Sequence, residues 1–461
     1  MLGILITVAV IAVVAYCVLK NYYPPIVLLL AGLLMLVCAW LMGVDPVDAK
    51  KSTNFVGFDF VQAFTNQMKG RLPGLGLNIM LIAGFSFYMD RIGASKALVK
   101  LCVKPLSAVR SPYVLLAITY VVGQFMALFI NSAVGLGLLL MASVYPLLVA
   151  LGVSRASAAA VIGSTCCLDL GPSSSNAMRA ADLMSTDVVT YFVQSQIPVA
   201  VCVIATVAIG HFFVQRWFDQ RDAARGVADG APVKADQKDL EKAFEGAGPV
   251  HYALLPMLPL VLLIVFSPMV YDGIKLSLQT GILVSILIAF FVDLITHFDF
   301  KECCKRTSAV FEGMGKVFTS TVALICCAEL FALGMNKTGR HHHDDSRPQL
   351  PWRAPASWVM LFIMLGIMVV ATIVTGSGNA AFFAFSPLLP EAAASVGINT
   401  AVLVVPVQLS AGIARTMCPI AGVIIAVAGI AGLTPFEIIR RTIPVMLLAL
   451  IVNVAASAIF L

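Results

Sequence analysis

The sequence predicts an all-α polytopic membrane protein with two inverted-topology repeats, each containing a re-entrant helical hairpin and a discontinuous transmembrane helix. Three observations predict this fold class. Hydrophobic residues make up 60% of the 461 residues and charged residues only 12%, whereas a soluble domain has about 25% charged residues. Residues 131–199 and 377–445 repeat one pattern at an offset of about 246 residues. Finally, polar clusters interrupt apolar blocks at corresponding places in the two copies.

Each copy of the repeat opens with a Gly/Ser/Asn cluster and a run of small apolar residues. A Gly-Val-Ser or Gly-Ile-Asn turn follows, and a second apolar run is broken by proline before the copy ends near Ile-Pro-Val. Interrupted hydrophobic segments at corresponding positions of two halves are the best sequence indicator of a secondary transporter's binding site. The repeat therefore predicts both the architecture and where the site lies.

The remaining apolar segments have the length needed to cross a bilayer, about 17–25 residues. We interpret the first as a retained helix rather than a signal peptide, because it lacks a basic start. The predicted spans are about 3–19, 25–43, 73–90, 190–214, 252–270, 277–297, 317–335 and 442–460.

Two blocks, 112–150 and 356–396, are too long for a single span and contain polar clusters near their middles. They predict re-entrant hairpins, because irregular backbone at membrane depth is tolerated only where it is buried in protein or lines a cavity. Residues 155–185 and 401–430 are predicted as single crossings broken at Gly171-Pro172 and Cys418-Pro419.

The predicted organisation follows from these segments. It comprises N-terminal transmembrane helices in 1–50, a first inverted repeat in 51–214, a cytoplasmic linker in 215–250, connecting transmembrane helices in 251–297 and a second inverted repeat in 298–461. The linker is polar and mixed in charge, so we expect it to be partly helical at most.

The loop charges predict the orientation. Lysine and arginine are concentrated in one set of loops, including 91–110, 215–250 and 298–316, which marks that side as cytoplasmic. Both termini then face outward, and the two copies come out antiparallel.

Residues 340–353 are far more polar than their counterpart after Gly93, which has an amphipathic period. Three interpretations are open: a His-Asp cluster that binds a transition metal, a divergent exposed loop, or a local reading-frame error. Resequencing the coding DNA would distinguish the third. The eleven cysteines show no C-x-x-C spacing and are interpreted as small hydrophobic residues, so we predict neither a metal site nor a cofactor.

The hairpin tips and the helix breaks supply short polar side chains where helices restart. Helix N-termini hold carboxylates through free N–H groups and a partial positive charge. Serine and glycine in membrane helices commonly serve packing alone, but four matched clusters together predict a binding site. The candidate substrate-binding residues are Asn131, Ser132, Ser173, Ser174, Ser175, Asn176, Thr375, Gly376, Ser377, Gly378, Asn379 and Thr416.

Ionisable residues within the predicted spans are few, and such residues default to functional hypotheses. Arg415 lies beside Thr416 in the second break, where its guanidinium could clamp a carboxylate bidentately. Asp169 and Arg179 flank the first break; as alternatives, they pair structurally or Arg179 lies at the surface. Glu329 is either a proton or cation carrier or a buried structural carboxylate.

Four stretches are distinctive: SPYVLLAITYVVGQFMALFINSAVGLGLLLMASVYPLL, TGSGNAAFFAF, IARTMCPIAGVIIAVAG and TPFEIIRRTIPV. They resemble the DcuC family of anaerobic C4-dicarboxylate carriers, and the similarity runs nearly end to end. The resemblance implies exchange or efflux of succinate, fumarate or malate across the bacterial inner membrane.

More broadly, the layout resembles the ion-transporter superfamily, in which Ser-Asn-Thr motifs at two hairpin tips bind substrate carboxylate and Na⁺. In that superfamily a transport domain moves as an elevator, usually in dimers. Carried over, Asn131-Ser132 and Ser377-Gly378-Asn379 take the tip roles, although this chain has AsnSerAla and SerGlyAsn in their place. A cation site is expected near Asn131 and Asn379.

The sequence therefore predicts a multi-pass secondary active transporter that works by alternating access, as antiport, efflux or symport with Na⁺ or H⁺. The expected partners are the dicarboxylate, membrane lipid and a second copy in a homodimer. Nucleic-acid binding has no support from the small, dispersed charge of +6. Alternatives are a carrier for another organic anion, such as a monocarboxylate or aminoacyl compound, a passive channel, or an intramembrane enzyme. No catalytic constellation of ionisable residues within the spans supports the enzyme.

Overall fold

The computed structural model describes residues 22–109, 111–225, 244–267, 270–271, 273–338 and 355–461, together with residues 6, 9, 10, 13, 14, 16, 17 and 20. Within these ranges the regular structure is entirely helical. Seven of the described helices are long and apolar enough to cross a membrane, so the chain is a polytopic membrane protein. Most of the predicted 3–19 span, residues 226–243 of the linker and the whole 340–353 segment lie outside the described residues.

The first half of the chain alternates long and short helices. The long α2 and α9 are continuous through π-helical turns at Leu72–Gly76 and Tyr191–Gln196. The elements are α1 (Pro24–Leu41), α2 (Val56–Arg91), α3 (Ala94–Val103), α4 (Pro112–Met126), α5 (Ala133–Ser143), α6 (Tyr145–Ala150), α7 (Arg155–Ser164), α8 (Ser175–Leu183) and α9 (Val188–Ala224).

From α11 (Leu278–His297) onward, the second half follows the order of long and short helices that the first half shows from α1, except that the counterpart of α3 falls outside the described residues. A π-helical turn at Phe318–Val322 interrupts α12, at the repeat offset from the turn at Leu72–Gly76. The elements are α10 (Leu258–Val265, after a 3-10 turn at Val250–Met257), α11 (Leu278–His297), α12 (Phe300–Thr338), α13 (Pro355–Thr375), α14 (Gly378–Phe385), α15 (Leu388–Ser395), α16 (Thr400–Arg415), α17 (Gly422–Ala431) and α18 (Pro435–Phe460).

Local sequence signals explain where many helices begin. Proline occupies the first position of α1, α4, α13 and α18, where its missing N–H would be unbonded in any case. At the start of α18, Thr434 and Glu437 form a reciprocal capping box, which satisfies two backbone donors.

Five predicted boundaries need correction. The predicted 442–460 span begins at Pro435. The spans predicted to begin at 73 and 317 begin at Val56 and Phe300, because the first turns of α2 and α12 are polar on one face and escape a hydropathy criterion. The linker predicted from residue 215 is helical as far as Ala224. The predicted 252–270 span is helical only over Val250–Val265, with Pro256 inside its 3-10 portion.

Several helices of the first half pack against helices of the second half. The C-terminal half of α2 packs along the N-terminal half of α12, and α9 packs along α18. At the centre, α5 of the first half packs on α17 of the second, while α14 of the second packs on α8 of the first. These contacts bring the interrupted segments of both halves together at the centre of the structure.

Candidate functional site

Four short helices begin at one cavity of about 310 Å³. Residues at or just before the first turns of α5, α8, α14 and α17 line it, including Ser132, Ser174, Ser377 and Gly422. The first backbone N–H groups of a helix have no partner within the helix and carry a partial positive charge. The convergence of four N-termini therefore creates a site suited to an anion.

Serine residues cap three of these four helices. The Oγ of Ser132 accepts from the N–H of Gly135 at 3.0 Å, that of Ser174 from Ala177 at 3.3 Å, and that of Ser377 from Ala380 at 3.2 Å. The fourth helix, α17, follows Ala421 and has no side-chain cap among the described residues. The N-terminus of α17 is thus the one whose donors depend most on what occupies the cavity.

The two tips are fixed in different ways. In the first, the Nδ2 of Asn131 donates to the Oγ of Ser86 on α2 at 2.9 Å. In the second, Gly376 has a φ of +70°, and a Cβ there would lie 3.0 Å from the carbonyl oxygen of Ile420. Only glycine fits both the left-handed backbone and this close approach, so the tip lies directly against the second helix break.

An ion pair crosses the cavity wall. The Nη2 of Arg415, the last residue of α16, donates to Oδ1 of Asp169 at 3.2 Å and to the backbone carbonyl of Cys166. Asp169 lies in the break between α7 and α8. The two paired residues are 246 apart, so they hold corresponding positions in the repeat and carry opposite charges there.

Asn176 connects this pair to the second tip. Its Nδ2 donates to Oδ2 of Asp169 at 2.9 Å and to Oδ1 of Asn379 at 3.0 Å. The break between α7 and α8, the end of α16 and the start of α14 are thereby joined in one hydrogen-bonded network.

The cavity brings together most of the predicted residues. Those that line it are Asn131, Ser132, Ser173, Ser174, Ser175, Gly376, Ser377, Asn379 and Arg415. Four others, Asn176, Thr375, Gly378 and Thr416, lie beside it. The hydroxyls of Thr375 and Thr416 donate to carbonyls of their own helices, Ala371 and Ile413, both at 2.7 Å, which turns them away from the cavity.

The alternatives for Arg179 are both wrong. Its side chain is 1% exposed, so it is not at the surface, and it pairs with Asp182 at 2.7 Å and with Glu329 rather than with Asp169. Arg71 reaches the same two carboxylates at 3.1 Å. We call Arg71, Arg179, Asp182 and Glu329 the four-charge network. Its contacts favour the structural interpretation of Glu329.

Sequence reasoning missed part of the cavity wall. Gly422 and Val423 at the start of α17, and Ile82 and Thr321 on α2 and α12, also line the cavity. The repeat could have identified α17, because the start of α8 at Ser175 maps, at the repeat offset, onto Ala421. The walls from α2 and α12 have no such signal, since they belong to long apolar helices.

Within the described residues no three His, Cys, Asp or Glu side chains are grouped as metal ligands. The predicted His-Asp cluster is outside those residues.

Comparison with known proteins identifies the family. Residues 2–460 match the model of the DcuC family, described as the C4-dicarboxylate anaerobic carrier. The chain belongs to this family. It is therefore a multi-pass transporter of the bacterial inner membrane rather than an enzyme.

Curated relatives match over nearly the whole chain. A protein of Vibrio cholerae, named a probable anaerobic C4-dicarboxylate transporter DcuC, is 36% identical over 97% of this chain and 95% of its own length. The anaerobic C4-dicarboxylate transporter DcuC of Escherichia coli K12 is 32% identical over 98% of this chain and 96% of its own length.

Proposed function

We propose that the protein is a secondary active carrier that binds a C4-dicarboxylate of the succinate, fumarate or malate class in the cavity and moves it by alternating access. Family membership sets the substrate class. The observation that supports the binding site is the convergence of four helix N-termini and one guanidinium on a single cavity.

The cavity suits a dianion on chemical grounds. Backbone N–H groups at helix starts donate hydrogen bonds to carboxylate oxygens without carrying a full positive charge, and Arg415 adds a planar donor that matches carboxylate geometry. The serine caps hold three helix starts in place, so the donors are arranged before substrate arrives.

We propose that the two halves are inverted-topology repeats with re-entrant hairpins at 112–150 and 356–396 and discontinuous helices at 155–185 and 401–430. Three features support this. The π-helical turns of α2 and α12 and the Asp169–Arg415 pair both fall at the repeat offset. The reciprocal packing of α5 on α17 and α14 on α8 is what a pseudo-two-fold axis between the halves produces.

The proposed movement is of the elevator type within a homodimer. In it, α5, α8, α14, α16 and α17 carry the substrate past α1, α2 and α12. The lining of the cavity supports this division, since α2 and α12 contribute mostly apolar residues, such as Ile82, and one hydroxyl, Thr321, whereas the central helices contribute most of the polar groups.

The proposed coupling ion is Na⁺ or H⁺, with a cation site near Asn131 and Asn379. Both residues line the cavity and each carries an amide oxygen, the ligand type that hard cations prefer.

Radiolabelled succinate counterflow in proteoliposomes tests the binding site. Arg415→Ala and Asn379→Ala should each raise the half-saturating succinate concentration, because each weakens binding. Loss of a hydrogen bond to a charged group corresponds to about 1.5–3 kcal/mol, or roughly a 10- to 150-fold weaker affinity for Arg415→Ala. Arg440→Ala is the matched control, because this arginine is exposed and stacks on Phe218 away from the cavity. Unchanged counterflow in both cavity variants would reject the site.

A further inference from the structure

The cavity contains its own carboxylate. Among the described residues that line it, Asp169 and Arg415 are the only two with a formal charge. A carboxylate placed in a site for anions repels the substrate, unless it has a role that outweighs this repulsion. Its position beside the single guanidinium indicates what that role is.

Arg415 is only partly satisfied. A guanidinium has five N–H donors, yet both described bonds of Arg415 come from the same nitrogen, Nη2. Its Nε is buried with no hydrogen-bond partner among the described residues. A buried donor without a partner is unfavourable, and Nη1 has no described hydrogen bond either. Because the side chain is 13% exposed and lines the cavity, this arginine has donors left for a further acceptor.

Asp169 is held with two single contacts rather than a bidentate one. One oxygen accepts from Arg415 and the other from Asn176. Its side chain is 17% exposed, so a ligand in the cavity can reach it. A substrate carboxylate that bound Arg415 through two nitrogens would make a stronger contact than the one Asp169 makes.

We propose that Asp169 is an internal stand-in for a substrate carboxylate. In the empty carrier it neutralises Arg415. On binding, the substrate carboxylate displaces it from the guanidinium, and Asp169 keeps its bond to Asn176 while the proposed coupling ion, Na⁺ or H⁺, offsets its charge. This inference rests on the proposed function, in which the substrate binds at Arg415.

Asp169 matters when the empty carrier returns across the membrane to bind the next substrate. An unpaired charge in a low-dielectric environment is strongly disfavoured. With Asp169 on Arg415 the empty site has no net charge and can reorient across the membrane. Without Asp169, the positive site crosses only when substrate occupies it. Asp169 thus permits net transport in addition to exchange.

The test compares two modes of transport in the purified full chain. Proteoliposomes are assayed for succinate counterflow, which needs only the loaded carrier, and for net efflux into succinate-free buffer, which needs the empty carrier to return. Asp169→Asn keeps the size of the side chain and removes its charge. We expect about a tenfold lower half-saturating concentration in counterflow and at least a tenfold lower ratio of net efflux to counterflow.

Two further variants complete the test. Asp169→Glu retains the carboxylate and should retain most of the ratio, while Glu312→Gln, an exposed residue paired with Arg91, should leave it unchanged. If Asp169→Asn is not recovered folded, Asp169→Ser is measured instead. It also removes the negative charge beside Arg415, so it should lower the ratio in the same direction.

The stand-in role is overturned if Asp169→Asn weakens succinate binding, or if counterflow and net efflux fall equally. Failure of the proposed function is distinguishable from this result. If Arg415→Ala leaves the counterflow affinity for succinate unchanged, the substrate does not bind at Arg415 and the proposed function fails. If Arg415→Ala weakens binding and Asp169→Asn leaves the ratio intact, only the stand-in is wrong.

Discussion

Two of the ion networks among the described helices, the four-charge network and the Asp169–Arg415 pair, differ in how completely their arginines are bonded. Arg179 in the four-charge network uses all three nitrogens, with Ser386 at 3.3 Å and Asp182 at 2.7 Å on two of them and Glu329 on the third. Arg415 at the cavity uses one nitrogen and leaves another buried without a partner among the described residues. Similar charges therefore serve different ends: Arg179 has a partner on each of its three nitrogens, whereas Arg415 has donors left for a ligand.

The location of each network agrees with this difference. The four-charge network joins α2, α8 and α12, and neither Arg71, Arg179, Asp182 nor Glu329 lines the cavity. The Asp169–Arg415 pair joins the two helix breaks inside the cavity wall. An ionisable residue in a membrane helix thus has a role that depends on its neighbours, and its presence alone does not identify a binding residue.

The largest expected effect is on stability, from Arg179→Leu. Breaking a buried ion pair by removing one partner is disfavoured by about 3–5 kcal/mol, and here it leaves two carboxylates facing one arginine. The measurement is the thermal unfolding midpoint of the purified protein in detergent. Arg415→Leu is the paired variant and should lower the midpoint less, because Asp169 borders a cavity. An equal or larger loss in Arg415→Leu would remove the distinction between the two networks.

Glu329→Gln separates structure from transport. It retains the size of the side chain and removes the acceptor charge for Arg71 and Arg179, so we expect a loss of about 1.5–3 kcal/mol in the free energy of unfolding. Counterflow per folded molecule should keep its half-saturating succinate concentration and its dependence on Na⁺ and pH. A change in the ion dependence would instead favour Glu329 as a coupling residue.

The residues that line the cavity could be predicted from the sequence better than the ion pairs around it. Asn131, Ser174 and Ser377 were predictable because helix restarts require short polar caps and the repeat shows where they fall. Of the partners of Arg179, Asp182 was predictable because it lies three residues later on the same helix. Glu329 and the neighbouring Arg71 were not, since they lie on two other helices whose packing leaves no local sequence signal. The pairing of Asp169 with Arg415 was in principle available, because the repeat offset already relates them.

The helix boundaries show a second limit. Residues 56–71 and 215–224 are helical although their polar side chains resemble loops in a hydropathy profile. Tertiary contacts stabilise them: Arg71 joins the four-charge network, while Asp219 and Asp222 pair with Arg441 on α18.

Gly378→Ala tests how closely the second tip approaches the cavity pair. A Cβ at Gly378 would lie 2.6 Å from the carbonyl oxygen of Ala411 on α16, one turn before Arg415. Overpacking of this kind is disfavoured by about 1–3 kcal/mol. Because α14 and α16 would be forced apart, weaker succinate counterflow should accompany the lower unfolding midpoint.

Gly429→Ala is the matched control on α17. A Cβ there meets nothing within 4 Å, and alanine in a helix interior is favoured over glycine by about 0.5–1 kcal/mol. We expect this variant to unfold at the same or a slightly higher temperature. If both glycine variants behave alike, the tip is not held against α16.

The smallest expected effect comes from an exposed ion pair, which serves as a reference for the four-charge network and the Asp169–Arg415 pair. Arg91 and Glu312 also form an ion pair, at 2.8 Å between α2 and α12, but their side chains are 45% and 52% exposed. Exposed pairs contribute about 0.2–1 kcal/mol and are screened by salt. Arg91→Ala should therefore lower the unfolding midpoint only slightly at low ionic strength and not at all at high salt, whereas the loss in Arg179→Leu should persist. An effect of Arg91→Ala as large and as salt-resistant as that of Arg179→Leu would mean that burial does not distinguish these ion pairs.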